Sequence, residues 1–201
     1  MVSAIAPGVG QYGGSVSTDA GPAVDAERAL MVGAAYAAIN FISRTTATLP
    51  ITLQRRGDKS RAHVDSPDYY WLTRQPNPST SRISFFETLV AGIEGWGNGY
   101  AWIGRDPGKM YDPAKPWNGV KELWQVRPPR VGIGTFPDGS KGFTLDGSRE
   151  APYTSREVLH VPSFSIDGVR GLSPVAVGAN ALGLSIATEK FGSLFFRNGS
   201  T

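Results

Sequence analysis

The chain has 201 residues, 40% hydrophobic and 18% charged, with five Trp and nine Phe, enough for one ordinary domain with extensions and too rich in core-forming side chains for global disorder. It has no cysteine, which excludes disulfide frameworks, thiolate metal sites and cysteine nucleophiles; no stretch approaches the ~18 apolar residues of a membrane span, and no secretion signal opens the chain. The net charge of +3 is scattered apart from one dense group, Arg55, Arg56, Lys59 and Arg61.

Residues 1 to about 24 are Gly-rich and small, and read as a flexible arm. Order is expected from Asp25, a helix N-cap, with Val32, Tyr36 and Ile39 at helical spacing until Thr45-Thr46 and Pro50. Ile51-Thr52-Leu53-Gln54 alternates as a strand does and runs into the turn signal Gly57-Asp58, which predicts a hairpin. The four clustered basic residues fall on that hairpin, where they are either a solvated loop or candidates for a phosphate contact. Asp68 to Leu72 predicts a short helix, ended by Gln75-Pro76-Asn77-Pro78.

Ser84-Phe85-Phe86-Glu87 matches a capping box and predicts a helix start. That helix ends at Gly95-Trp96-Gly97-Asn98-Gly99, where glycine supplies left-handed backbone. Strands are expected from Tyr100 to Arg105 and Val120 to Arg127, around a Pro- and Gly-containing loop from Asp106 to Gly119. Shorter ones follow at Val131 to Thr135, Phe143 to Leu145 and Val158 to Val161, divided by tight-turn signals. Ser173-Pro174 opens the last helix, with Ser as N-cap and Pro at the first helical position. Val175, Leu182, Ile186 and Leu194 give it an apolar stripe over about seven turns, and Phe191, Phe195 and Phe196 call for a partner surface.

One set of residues suggests catalysis: Ser173, His160 and Asp167, as a serine-hydrolase triad. The string Gly171-Leu172-Ser173-Pro174-Val175 lacks the second glycine of a nucleophile elbow, and Pro174 removes an amide that an oxyanion hole uses. A cap is the better reading of Ser173, and a structural residue that of His160. His63 is the only other histidine, too few for a histidine metal centre. No phosphate loop occurs. Catalytic, cofactor and metal sites are therefore expected to be absent. The tryptophans Trp71, Trp96, Trp102, Trp117 and Trp124 fit core and interface packing better than base stacking.

The chain resembles the portal proteins of tailed bacteriophages. Four stretches carry the resemblance: Ala37-Ala38-Ile39-Asn40-Phe41-Ile42-Ser43 through Leu49-Pro50-Ile51; Leu72 through Asn77-Pro78 with Phe85-Phe86-Glu87; Gly97-Asn98-Gly99-Tyr100-Ala101; and Val158-Leu159-His160 through Asp167-Gly168 to Gly171-Leu172-Ser173-Pro174, ending Phe195-Phe196-Arg197-Asn198-Gly199. It departs at the long 106–119 loop and at Gly99, where the family has alanine.

The resemblance implies an α+β fold: a wing region of helices packed on small antiparallel β-sheets, followed by a long helix leading toward a stem. The expected divisions are a 1–24 arm, a 25–172 wing-type domain and a 173–201 helix, in a chain cut short relative to the family. The implied protein is structural and non-enzymatic, a subunit of a homo-oligomeric ring, typically of twelve, at one vertex of the virion. Its channel passes double-stranded DNA, without regard to sequence, during packaging and ejection. The implied partners are the major capsid protein, the terminase large subunit and a head–tail adaptor, with assembly in the host bacterial cytoplasm, no cofactor and no membrane. The rival readings are the serine hydrolase and a non-specific DNA-binding module.

Overall fold

The computed structural model describes residues 6–7, 14–56, 61–63, 69–115, 117–146 and 152–199. In chain order the elements are β1 (Ala6–Pro7), α1 (Ala26–Ala29), α2 (Gly33–Thr48), β2 (Gln54–Arg56), β3 (Arg61–His63), α3 (Tyr70–Thr73), α4 (Arg82–Trp96), β4 (Asn98–Arg105), β5 (Val120–Val126), β6 (Val131–Thr135), β7 (Lys141–Leu145), β8 (Tyr153–Thr154), β9 (Val158–Pro162), α5 (Pro174–Val177) and α6 (Ala179–Arg197). Helices and small antiparallel sheets are mixed along the chain, as the α+β expectation requires. The sheets are a β2–β3 hairpin, a three-stranded sheet in the order β5–β4–β9, and a four-stranded one in the order β1–β6–β7–β8.

Strand β4 organises the molecule because both of its faces are covered. Ala101 and Ile103 point to one side, where Phe85 and Leu89 of α4, Trp71 of α3, and Val120 and Leu123 of β5 close the first core. Tyr100 points to the other and packs with Ile133 of β6, Phe143 of β7 and Val158 of β9. The period-2 alternation of a strand thus feeds two cores from one segment. The predicted turn at Pro76-Asn77 is fastened to β5: the Leu123 amide donates to the Pro76 carbonyl at 2.7 Å, and the Asn77 side chain donates to the Leu123 carbonyl at 2.8 Å.

A third core corrects the sequence reading of the N-terminal segment. Val16 and Val24 pair across an isolated bridge, and Val24, with no exposed surface, packs with Ala29, Val175 and Ala179. Residues 14–24, expected within a free arm, lie on the body, because two valines among the glycines find an apolar patch formed by distant helices.

Several boundaries also move. The helix expected from Asp25 is two: Asp25 does cap α1, accepting the Arg28 amide at 2.8 Å, but the chain breaks at Met31-Val32 before α2. The start expected at Ser84 lies a turn earlier, where Ser81 accepts the Ser84 amide as N-cap. The last helix is divided at Gly178 into α5 and α6. The predicted hairpin is present as β2–β3, beginning at Gln54 rather than Ile51, and its Gly57-Asp58 turn lies outside the described residues.

The tryptophans do not form one platform. Trp71 is buried and meets Trp117 at 5.7 Å between ring centroids, Trp102 packs edge-on to Tyr153, and Trp124 donates its indole N–H to Glu122.

Candidate functional site

The end of α4 and the start of α5 meet at a polar junction beneath β4. Helix α4 stops at Gly97, whose φ of 76° is left-handed and whose amide bonds back to the Ile93 carbonyl at 2.8 Å. A Cβ at Gly97 would lie 2.5 Å from the Gly171 carbonyl oxygen, so the two backbones touch where glycine faces glycine. From the strand side, the Ser163 amide donates to the Gly97 carbonyl at 2.8 Å. The loop from 163 to 172 closes on itself: the Leu172 amide donates to the Phe164 carbonyl at 2.8 Å, and Ser163 Oγ donates to the Leu172 carbonyl at 2.5 Å.

Asn98 is the centre of this junction and is 6% exposed. Its Oδ1 accepts the Gly171 amide at 2.9 Å, and its Nδ2 donates to the carbonyls of Gly171 and Trp96, each at 3.1 Å. One side chain therefore pairs both backbone groups of Gly171, as buried polar groups demand. His160 Nε2 lies 2.9 Å from the same Oδ1. Since Oδ1 is an acceptor, Nε2 carries the proton, an assignment that follows from the network. The imidazole stacks on Tyr100 with centroids 4.8 Å apart and meets the edge of Phe143 at 5.7 Å. Burial, followed by the Lys141 charge, pushes its pKa down to about 4. Burial raises that of Tyr100 well above the ordinary phenol, partly offset by Arg170.

Ser173 completes the junction. Its Oγ accepts the Ala176 amide at 3.1 Å as the N-cap of α5 and donates to the Gly95 carbonyl at 2.7 Å. A cap of this kind is worth about 1 kcal/mol, and the second bond ties the last helix to α4. Asp167 Oδ1 accepts the amides of Val169 and Arg170, both at 2.8 Å, and the Ser165 hydroxyl. Those bonds hold its carboxyl below the usual carboxylate range.

This disposes of the triad geometry. Ser173, His160 and Asp167 each have other partners: the serine proton goes to Gly95, the imidazole to Asn98 and the carboxylate to its own loop. The pairing of nucleophile to base that such chemistry needs is not formed. An apolar depression of about 160 Å³ beside the junction, lined among others by Leu89, Gly92, Trp96 and Pro128, has neither histidine nor carboxylate in its wall. Among the described residues, no three His, Cys, Asp or Glu side chains gather as metal ligands.

Of the basic candidates, Arg55, Arg56 and Arg61 lie on the β2–β3 hairpin, with Arg56 paired opposite Arg61; Lys59 lies outside the described residues. His63 sits opposite Gln54 on the same hairpin.

The role of Asn98 is what sequence reasoning missed. An Asn after a helix-ending glycine reads as a turn residue, and only the approach of Gly171 gives its amide a distant target. The available signal was indirect: Gly97-Asn98 and Gly171-Leu172-Ser173-Pro174 are two of the stretches that carry the family resemblance, and they prove to be two halves of one contact.

Two cores sharing β4, with the last helix tied to the end of α4 through Ser173, define an α+β class of mixed helices and small antiparallel sheets. The chain belongs to the phage portal protein family, whose pattern matches residues 33–201. It is 25% identical over 193 residues to a probable portal protein of Streptomyces phage phiC31, covering 90% of this chain and 40% of that one. It is 23% identical over 202 residues to the portal protein of Enterobacteria phage HK97, covering 98% of this chain and 46% of that one. The chain thus spans less than half the length of either relative. Among solved structures it resembles a chain from the neck of an empty GTA particle computed with C6 symmetry, with a TM-score of 0.67, 23% identity and coverage of 91% and 49% of the two chains. A chain from the neck of a native GTA particle computed with C12 symmetry gives 0.64, 22%, and 93% and 48%.

Proposed function

We propose that this chain forms the wing-type body, residues 25–172, and the following helix of a portal subunit: a non-enzymatic protein that joins identical copies into a ring, typically of twelve, at one vertex of the virion. Double-stranded DNA passes through that ring on packaging and ejection. The terminase large subunit, the major capsid protein and a head–tail adaptor are its partners, and assembly takes place in the bacterial cytoplasm. The observation that carries the reading is family membership over residues 33–201.

The outer face of the last helix supports it. Val175, Ala179, Leu182 and Ile186 pack inward, whereas Leu184, Phe191 and Phe195 of α6, spaced by seven and four residues, are 61%, 72% and 47% exposed. Spacings of seven and four residues keep these side chains on one face of the helix, and ring subunits need apolar surfaces on their flanks.

Electron microscopy of the protein at its full native length tests the proposal. Closed rings with a central channel are expected; a species that stays monomeric at every concentration overturns it. Arg55, Arg56, Lys59 and Arg61 are the candidates for backbone contact with DNA. Replacing all four with alanine is expected to shallow the salt dependence of DNA binding by up to about one unit of slope per lost phosphate contact. An unchanged slope removes the hairpin from that role.

A further inference from the structure

The junction contains a group that a purely mechanical fastening does not need. An asparagine alone pairs both backbone groups of Gly171, yet His160 is stacked beneath it with one nitrogen on Asn98 Oδ1 and the other, Nδ1, buried without a hydrogen-bond partner. A bare lone pair in an apolar slot is tolerable. An N–H there, on a charged ring, is not.

We propose that Asn98 and His160 form a proton-released latch on the last helix: the neutral imidazole supports the Asn98 carboxamide against Gly171, and a proton at Nδ1 drives the ring from its slot, freeing residues 163–178 from the end of α4.

The surroundings favour this response. From β4, Tyr100 covers the ring face as a neutral phenol; from β7, Phe143 meets it and Lys141 adds positive charge. From the loop before Gly171, Arg170 reaches the Ile133 carbonyl and acts electrostatically on Tyr100. The nearby acids are engaged elsewhere: Asp167 by its own loop, and Glu157 by the amide and hydroxyl of Thr154. His160 forms none of the ion pairs among the described residues. A proton on the ring therefore meets the Lys141 charge and two aromatic rings. The first core, of α4, β5 and the inner face of β4, does not include His160, so release need not spread there.

The sign follows from linkage. The latched imidazole titrates near pH 4 and a released, solvated one near ~6.5. The latch is then fully held above about 6.5 and lost as pH falls toward 4, with the released fraction growing up to about tenfold per pH unit between them.

Amide hydrogen exchange on the intact chain, compared as protection factors from pH 7.5 to 4.5, tests the proposal. Protection at Ser163 and Gly171, whose amides bond to the Gly97 carbonyl and to Asn98 Oδ1, is expected to fall at least about tenfold, in step with His160 ring protonation followed by NMR. The chain's two histidines make that signal simple to assign. The amides of Phe85 and Leu123 are expected to keep their protection, and His160→Phe is expected to abolish the pH response. Loss at Phe85 and Leu123 in the same step, unchanged protection at Ser163 and Gly171 once the ring is charged, or an undiminished response in H160F would each overturn the latch. Should H160F not fold, the wild-type comparison of the two amide groups decides alone.

Discussion

Gly171→Ala is expected to cost the fold at least about 3 kcal/mol, the upper range for forcing atoms into a packed interior. The added Cβ would collide with the Gly97 carbonyl oxygen and lie 2.5 Å from the Ser163 amide nitrogen. Both obstacles are backbone, so no rotamer change can relieve them. Gly97→Ala meets the same wall from the other side and adds the strain of a left-handed φ that alanine resists. Urea denaturation measures both: midpoints should fall in each variant, and a loss below 1 kcal/mol in Gly171→Ala would show that the backbones separate without penalty.

Asn98→Leu is expected to have an effect of similar size for a different reason. Leucine nearly fills the space but leaves the Gly171 amide and carbonyl without the partners seen at 2.9 and 3.1 Å, and takes from His160 Nε2 its acceptor. Each buried orphan costs about 1–3 kcal/mol, so a total near 3–5 kcal/mol is expected. Asn98→Asp discriminates further, since it keeps the acceptor oxygens while losing both Nδ2 donations and setting a carboxylate against two carbonyls. It should also raise the His160 pKa, because an adjacent negative charge favours the imidazolium. Chemical denaturation gives the first quantity and an NMR titration the second. A loss under 1 kcal/mol in Asn98→Leu would mean that solvent replaces the amide, and that the junction is less closed than its 6% exposure implies.

What could be read from the sequence was local. Gly97 as a helix end, Ser173-Pro174 as a helix start and the alternation of β4 depend on the backbone preferences of a few adjacent residues. The capping box at Ser84 failed on equally local grounds: Ser81 offers the same oxygen three residues earlier, and the longer helix adds a turn before Phe85. The breaks at Val32 and Gly178 were hidden because helical spacing persists across them. The anchoring of Val24 depends on Val175 and Ala179, far along the chain. For the junction, the parts were visible and their assembly was not: nothing near Asn98 in the sequence says that its amide is spoken for by Gly171.

The break at Gly178 gives the junction leverage. Helix α5 is a single turn fixed by Ser173, and α6 runs on from it for 19 residues, about 28 Å at 1.5 Å per residue. A tilt of about 10° at the joint displaces the far end by roughly 5 Å over that length, a full side-chain layer. The hydrogen bonds around Asn98, together with the packing of Ala179 and Leu182 on Val24, are thus the bearing of a lever whose far end carries Phe191 and Phe195.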